Sequence, residues 1–143
     1  MPTRHPRGRV SAAAGPCRAR TAVGTAFCAP LIGDGGFAVT ATELRTAVAR
    51  RLRLTVMVFC DGSLNRIELK QRALGYGGTA TRLDDIDLVA LAGAMGCDGV
   101  RVTSAAELEK ATTGLATRTG PLLVEACIDP AQYEAQFQGG VAY

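Results

Sequence analysis

The spacing of apolar positions changes period several times along the chain. Leu44, Ala47, Val48 and Leu52 recur at helical spacing. The next stretch, Leu54-Thr55-Val56-Met57-Val58-Phe59, is a continuous apolar run of strand length, as suits a parallel strand covered on both faces. Helical spacing returns at Leu88, Val89, Ala92 and Met95, with Gly96 placed to end that helix. Val100-Arg101-Val102 reads as a strand, Leu108, Ala111 and Leu115 as a helix stopped by Gly120-Pro121, and residues 122–128 as a last strand. Ahead of all these, Ala29-Pro30-Leu31-Ile32 is the end of a short strand, and Gly33-Asp34-Gly35-Gly36 is expected to be a tight turn.

Polar positions punctuate the same elements. Thr40 and Glu43 have capping-box spacing before the first helix, and Ser104 and Glu107 repeat it before the last. Asp84 and Asp85 stand where acids favour a helix start. Between residues 61 and 84 the pattern is less regular, with a short helix around 67–72 and a glycine-rich bend at Gly75, Gly77 and Gly78. Strands alternating with helices predict an α/β fold: a mostly parallel, doubly wound sheet with helices on both faces and right-handed crossovers. No internal repeat is visible.

The pattern begins only near residue 30. Residues 1–30 are read as a disordered or non-homologous N-terminal extension, 31–137 as the folded domain, and 138–143 as a tail. Charge supports that break. Of the 16 basic residues, Arg4, Arg7, Arg9, Arg18 and Arg20 lie in the first segment, which holds no acid. The body, with 11 basic and 13 acidic residues, is mildly acidic, so the net charge of +3 marks no nucleic-acid surface. No 18-residue apolar run occurs, so no membrane span is expected and the expected location is cytoplasmic.

The cysteines, Cys17, Cys28, Cys60, Cys97 and Cys127, are odd in number and form no C-x-x-C pair. Scattered thiols in a reducing compartment are expected, rather than a disulfide framework or a zinc site. The single histidine, His5, lies in the extension, which excludes most histidine-based catalysis.

Candidate chemistry sits in two acidic turns. Asp34 follows the first strand and Asp61, in Cys60-Asp61-Gly62-Ser63, follows the second. Open parallel sheets bind ligands beyond the carboxyl ends of their strands. Two carboxylates meeting there can hold a hard divalent cation such as Mg²⁺, which commonly shares its oxygen ligands with phosphates. Gly35 and Gly36 let backbone N–H groups approach a phosphate, and a helix starting near Thr40 would add partial positive charge. On turn chemistry alone, Gly-Asp-Gly and Asp-Gly remain common turn sequences.

Taken in order, the motifs are more specific. Gly33-Asp34-Gly35-Gly36-Phe37, the helix and strand that follow, and Cys60-Asp61 placed 27 positions after Asp34 resemble the binding fingerprint of thiamine diphosphate (ThDP) enzymes of the acetolactate synthase and benzoylformate decarboxylase type. In that fingerprint Gly-Asp-Gly is followed by an Asn-Asn pair. The likeness continues through residues 67–71, where Gln71 matches a glutamine common in the family, then 87–102, Glu107-Leu108 and 120–130, covering about 100 residues.

The resemblance implies an incomplete ThDP-binding fold with ThDP and Mg²⁺ as cofactors. Asp34, Asp61 and the carbonyl of Ser63 would be metal ligands. Gly35, Gly36, Leu64 and Asn65 would border the diphosphate. Three positions depart from the family. Cys60 stands for the first Asn, and a thiol is a poor substitute for its hydrogen bonds. Asp61 stands for the second Asn, keeping an oxygen ligand and adding charge. Asn65 stands where glycine is frequent.

The resemblance also implies a pyrimidine-binding domain, whose glutamate starts the chemistry, and that domain is not found in this sequence. The chain is therefore expected to act as a component of a 2-oxo-acid decarboxylase or acetolactate synthase-like enzyme, a lyase or transferase. It would need a pyrimidine-domain subunit or self-association, and no catalytic residue is assigned to it. Two alternatives stand beside this: a non-catalytic truncated remnant, and a generic α/β nucleotide-binding or interaction module. Other residues receive plain readings. Glu68, Lys70 and Arg72 are a solvated helix face, and Met57 and Met95 are core. Arg101 and Arg118 are surface charges. Glu125 is a strand acid explained by a polar partner or a strand end.

Overall fold

A computed structural model describes residues 28–84 and 86–130. The N-terminal extension up to residue 27, Asp85 and the tail lie outside the described residues. The elements are β1 (Leu31–Gly33), α1 (Asp34–Thr40), α2 (Glu43–Ala49), β2 (Thr55–Cys60), α3 (Asn65–Ala73), α4 (Leu88–Ala94), β3 (Asp98–Val102), α5 (Ala105–Thr112) and β4 (Leu122–Cys127), with a short 3-10 turn at Leu115–Thr117.

The four strands form one parallel sheet in the order β1-β2-β4-β3. Hydrophobic patterning explains which strands are central. All of Leu122–Ala126 is buried in β4, whereas β1 is an edge strand with Leu31 exposed. On one face Phe37, Ala41 and Leu44 from the α1–α2 region and Leu88 and Ala92 of α4 pack on Val56, Val58 and Leu123. On the other, Leu108, Ala111 and Leu115 pack on Val102, Leu122, Val124 and Ala126. The connections β1 to β2 and β2 to β3 step across the sheet in one direction with helices on the first face. The connection β3 to β4 steps back with α5 on the second. This is the arrangement that a single crossover handedness requires, and the sheet is doubly wound.

Helix ends follow local chemistry, and four differ from the sequence pattern. Gly33-Asp34-Gly35-Gly36 is not a tight turn: Gly33 caps α1, and Asp34 is its first residue. The Thr40–Glu43 capping box does not form. The Thr40 hydroxyl donates back to the carbonyls of Gly36 and Phe37, because the chain is already helical there. Helix α2 also ends before Leu52. Arg51 takes a left-handed φ of 49°, and Leu52 N–H closes onto Ala47 O at 3.0 Å while Arg51 N–H meets Val48 O at 3.0 Å, a Schellman ending. Helix α4 starts later than Asp84 and Asp85 suggest, with Asp87 accepting from Ala90 N–H at 2.9 Å as its cap, and Gly96 ends it at φ 79°. Ser104 and Glu107 do form their box. Ser104 accepts from Glu107 N–H, and Glu107 accepts from the Thr103 N–H and hydroxyl, which lower its carboxyl below the usual range.

Cysteine usage also differs from expectation in part. Cys60, Cys97 and Cys127 are free thiols, whereas Cys28 is disulfide-bonded. Among the described residues, no helix is long and apolar enough to cross a membrane.

Close helix–sheet approach depends on Gly99. A Cβ there would lie 3.0 Å from Val89 Cα and 3.2 Å from Val89 O, backbone atoms in the first turn of α4 that cannot rotate away. Gly99→Ala is expected to lower stability by about 1–3 kcal/mol, read as a lower urea midpoint. An unchanged midpoint would show that α4 does not rest on β3 at this point.

Candidate functional site at the carboxyl edge of the sheet

β1 ends at Gly33, β2 at Cys60 and β4 at Cys127. Because the strands are parallel, all three ends open at one edge, onto a hollow of about 670 Å³. Asp34, Cys60, Asp61, Arg101, Glu125 and Cys127 are among the residues lining it. A smaller, apolar recess of about 200 Å³ lies elsewhere, between β1 and the first helices. It holds none of the sequence-predicted site residues, so the polar hollow is the candidate site.

The two acidic segments meet. Asp34 Oδ2 accepts from the backbone N–H of Asp61 at 3.2 Å and of Gly62 at 3.0 Å, and Oδ1 accepts from Gly35 N–H at 2.7 Å. Asp61 turns its own loop. Its Oδ1 accepts from Ser63 N–H at 2.8 Å and from the Ser63 hydroxyl at 3.0 Å, and Asn65 Nδ2 donates to Oδ2 at 3.5 Å. Gly62, at φ 69°, supplies the left-handed residue between them.

Gly35 and Leu64 are brought together: a Cβ on Gly35 would overlap Leu64 Cδ2. Gly36 faces Ile32, whose Cγ1 would stand 3.1 Å from an added Cβ. Thus Asp34, Gly35, Asp61, Ser63, Leu64 and Asn65 form one connected cluster, while Gly36 borders it on the β1 side.

Hard oxygen donors suit Mg²⁺, and the donor count leaves room for it. A carboxylate oxygen has two lone pairs. Asp34 Oδ2 and Asp61 Oδ1 each already accept two hydrogen bonds, whereas Asp34 Oδ1 and Asp61 Oδ2 each accept one. Each carboxylate thus keeps one oxygen able to take a cation. Among the described residues no group of three or more His, Cys, Asp or Glu side chains is placed to hold a metal ion. Any cation here would therefore need main-chain, ligand or water oxygens to complete its shell.

A strap covers the site from one side. Leu64 N–H donates to Thr81 O at 2.7 Å and Leu83 N–H to Gly62 O at 3.0 Å. Gln71, matched only by resemblance in the sequence, clamps this strap to α3: its Nε2 donates to Thr79 O at 3.3 Å and its Oε1 accepts from Thr79 N–H at 3.1 Å. Glu68 is not a solvated residue as expected. Its side chain is 12% exposed, pairs with Arg72 and accepts from the buried Thr81 hydroxyl at 3.5 Å.

Glu125 has the polar partner that its place in an apolar strand led us to expect. Glu125 is buried in β4, opposite Arg101 in the β3 register. Arg101 Nε donates to Glu125 Oε1 at 2.9 Å, and this contact raises the guanidinium pKa. Arg101 also lies 4.0 Å from Asp87. It is an exposed residue, as expected, but a paired one at the wall of the hollow. Arg118 likewise pairs with Asp98. Glu125 Oε2 is buried without a hydrogen-bond partner. Beside it, Cys60 has its thiol pKa pushed up to about 12 by burial, with the carboxylates of Glu125 and Asp34 adding to the effect. The signal for Glu125 was an acid inside an otherwise apolar strand; its partner could not be found without the register.

Comparison with known proteins places this arrangement in a family. Residues 9–126 match the family model for the thiamine pyrophosphate enzyme, C-terminal TPP binding domain, a match that begins inside the stretch the hydrophobic pattern set apart. The chain is 32% identical over 120 residues to the Mycobacterium tuberculosis protein named as an acetolactate synthase large subunit, IlvB2, covering 80% of this chain and 22% of that protein. It is 34% identical over 96 residues to a Bacillus subtilis protein named as thiamine pyrophosphate-containing, YdaP, covering 67% and 17%. The chain thus spans about a fifth of the length of these relatives. The fold matches a Rhodococcus jostii RHA1 thiamine diphosphate-dependent 4-hydroxybenzoylformate decarboxylase with a TM-score of 0.67 at 24% identity, over 72% of this chain and 20% of that one. The family-model match over residues 9–126 is decisive: this chain belongs to the thiamine pyrophosphate enzymes, and it corresponds to their C-terminal TPP binding domain.

Proposed function

We propose that the hollow binds thiamine diphosphate through a Mg²⁺ ion. The chain would then serve as the diphosphate-binding component of a 2-oxo-acid decarboxylase or acetolactate synthase-like enzyme. One observation carries this reading: Asp34 accepts from the backbone of the Asp61 loop, so both carboxylates belong to one hollow at the sheet edge. Asp34, Asp61 and the Ser63 carbonyl would hold the cation, and Gly35, Gly36, Leu64 and Asn65 would border the diphosphate. ThDP, when bound, supplies the nucleophilic carbon that such enzymes use against a 2-oxo acid.

The residues of this chain bind and orient. Asp34 ties the two loops together, Asp61 fixes Ser63, and the Gln71-clamped strap holds Leu64 over Gly35. No described side chain takes the role of a catalytic base toward the pyrimidine ring, which is assigned to the pyrimidine-binding domain of a partner subunit.

Calorimetric titration of the folded chain with ThDP tests the proposal. Saturable binding is expected with millimolar Mg²⁺ and its loss with EDTA. Heat signals that ignore Mg²⁺, or no binding at millimolar ThDP, would remove it.

A further inference from the structure

Two of the free cysteines stand side by side in this hollow. Cys60 and Cys127 are register partners in the parallel β2–β4 ladder, each the last residue of its strand. Val58 opposes Glu125 two positions earlier, so strand alternation puts both thiols on the same face of the sheet. Both line the hollow. Adjacent strands lie about 4.8 Å apart, within the Cα–Cα range of about 4.4–6.8 Å that a disulfide spans. The two strand ends are held at that spacing by Ile128 N–H, which donates to Cys60 O at 3.0 Å.

Exposure differs between them. Cys127 is exposed and Cys60 is half-buried. A reagent from solution therefore meets Cys127 first, and Cys60 is shielded from it but one strand away from whatever forms on Cys127. A neighbour held at that range reacts as if at a very high local concentration.

We propose that Cys60 and Cys127 form a reversible disulfide, a redox modification site in the wall of the hollow that takes a peroxide as oxidant. In the first step the Cys127 thiol attacks the peroxide O–O bond. An S–O bond forms, the O–O bond breaks, and the departing hydroxyl takes the thiol proton and leaves as water, giving a sulfenic acid. In the second, Cys60 sulfur attacks Cys127 sulfur. The S–S bond forms, the S–O bond breaks, and the oxygen leaves as a second water with the sulfenic proton and the Cys60 thiol proton. Two thiols lose two electrons in total, and one hydrogen peroxide is reduced to two waters. A dithiol reductant reverses the bond by exchange. The site depends on strand register alone and stands whether or not the cofactor proposal does.

The test is peptide mapping of the full, folded chain after mild hydrogen peroxide, without reduction. The expected result is a species joining the Cys60 and Cys127 peptides, lighter by two hydrogens and lost on dithiothreitol treatment. Cys60→Ser and Cys127→Ser should each abolish that species, and Cys60→Ser should leave Cys127 to accumulate as sulfinic acid. Mapping also separates this bond from the disulfide at Cys28. Sulfinic acid at Cys127 in the unmodified sequence with no Cys60–Cys127 peptide would overturn the proposal. So would a cross-link formed only in urea.

Discussion

Asp34→Ala is expected to weaken Mg²⁺-dependent ThDP binding by roughly 100-fold or more and to lower stability at the same time. The two losses share one cause. The Asp34 carboxylate accepts from Gly35, Asp61 and Gly62 N–H groups, so alanine leaves three donors to find water and releases the loop that positions Asp61. Hydrogen bonds to a charged group are worth about 1.5–3 kcal/mol each. The site is only partly buried and water can replace some of them, so a net cost of about 2–3 kcal/mol is expected. Asp34→Asn separates the two effects. It keeps one acceptor oxygen and most of the shape but removes the charge, so stability should recover more than binding does. Calorimetry with and without Mg²⁺, on variants shown to be folded by circular dichroism, reads both. Mg²⁺-dependent affinity that is unchanged in Asp34→Ala would move the cation elsewhere.

The second large effect falls away from the proposed ligands. Arg101→Ala should lower the melting temperature by roughly 10 °C, because it leaves the Glu125 carboxylate buried with both oxygens unpaired. Glu125 Oε2 already lacks a partner, so among the described residues Arg101 is the compensation for that charge. Replacing both groups, as Arg101→Met with Glu125→Leu, removes the buried charge together with its partner, and much of the loss should be recovered. The order of melting temperatures decides the matter. A double variant no more stable than Arg101→Ala would mean that the packing of the arginine stem, and not the uncompensated carboxylate, sets the cost.

The family was legible in the chain because its signal resides in short, ordered motifs. The Gly-Asp-Gly segment, an acid at fixed distance, Gln71 and the glycine- and proline-bounded last strand keep their meaning without coordinates. Strand positions were legible for a related reason. A strand covered on both faces must be apolar throughout, and residues 54–59 and 122–128 have that character.

Boundaries were less so. Thr40 and Glu43 have the spacing of a capping box, but spacing cannot tell a cap from a helix interior, and here α1 already occupies the position. Asp84 and Asp85 gave way to Asp87 as the cap of α4, since any acid nearby satisfies the same local rule. Arg51 ends α2 in a conformation usually left to glycine, and nothing in its residue type announces that.

By itself, then, the sequence determined the elements, the parallel alternation and the identity of the acids, which are properties of segments. Tertiary structure alone decided which distant residues meet. The order β1-β2-β4-β3 inserts the last strand between the second and third. That insertion sets Glu125 against Arg101 and Cys127 against Cys60. These pairings join residues 24 and 67 positions apart. Pairing across such separations is fixed by how two helical layers bury a shared sheet, a cooperative property of the whole chain that no local pattern encodes.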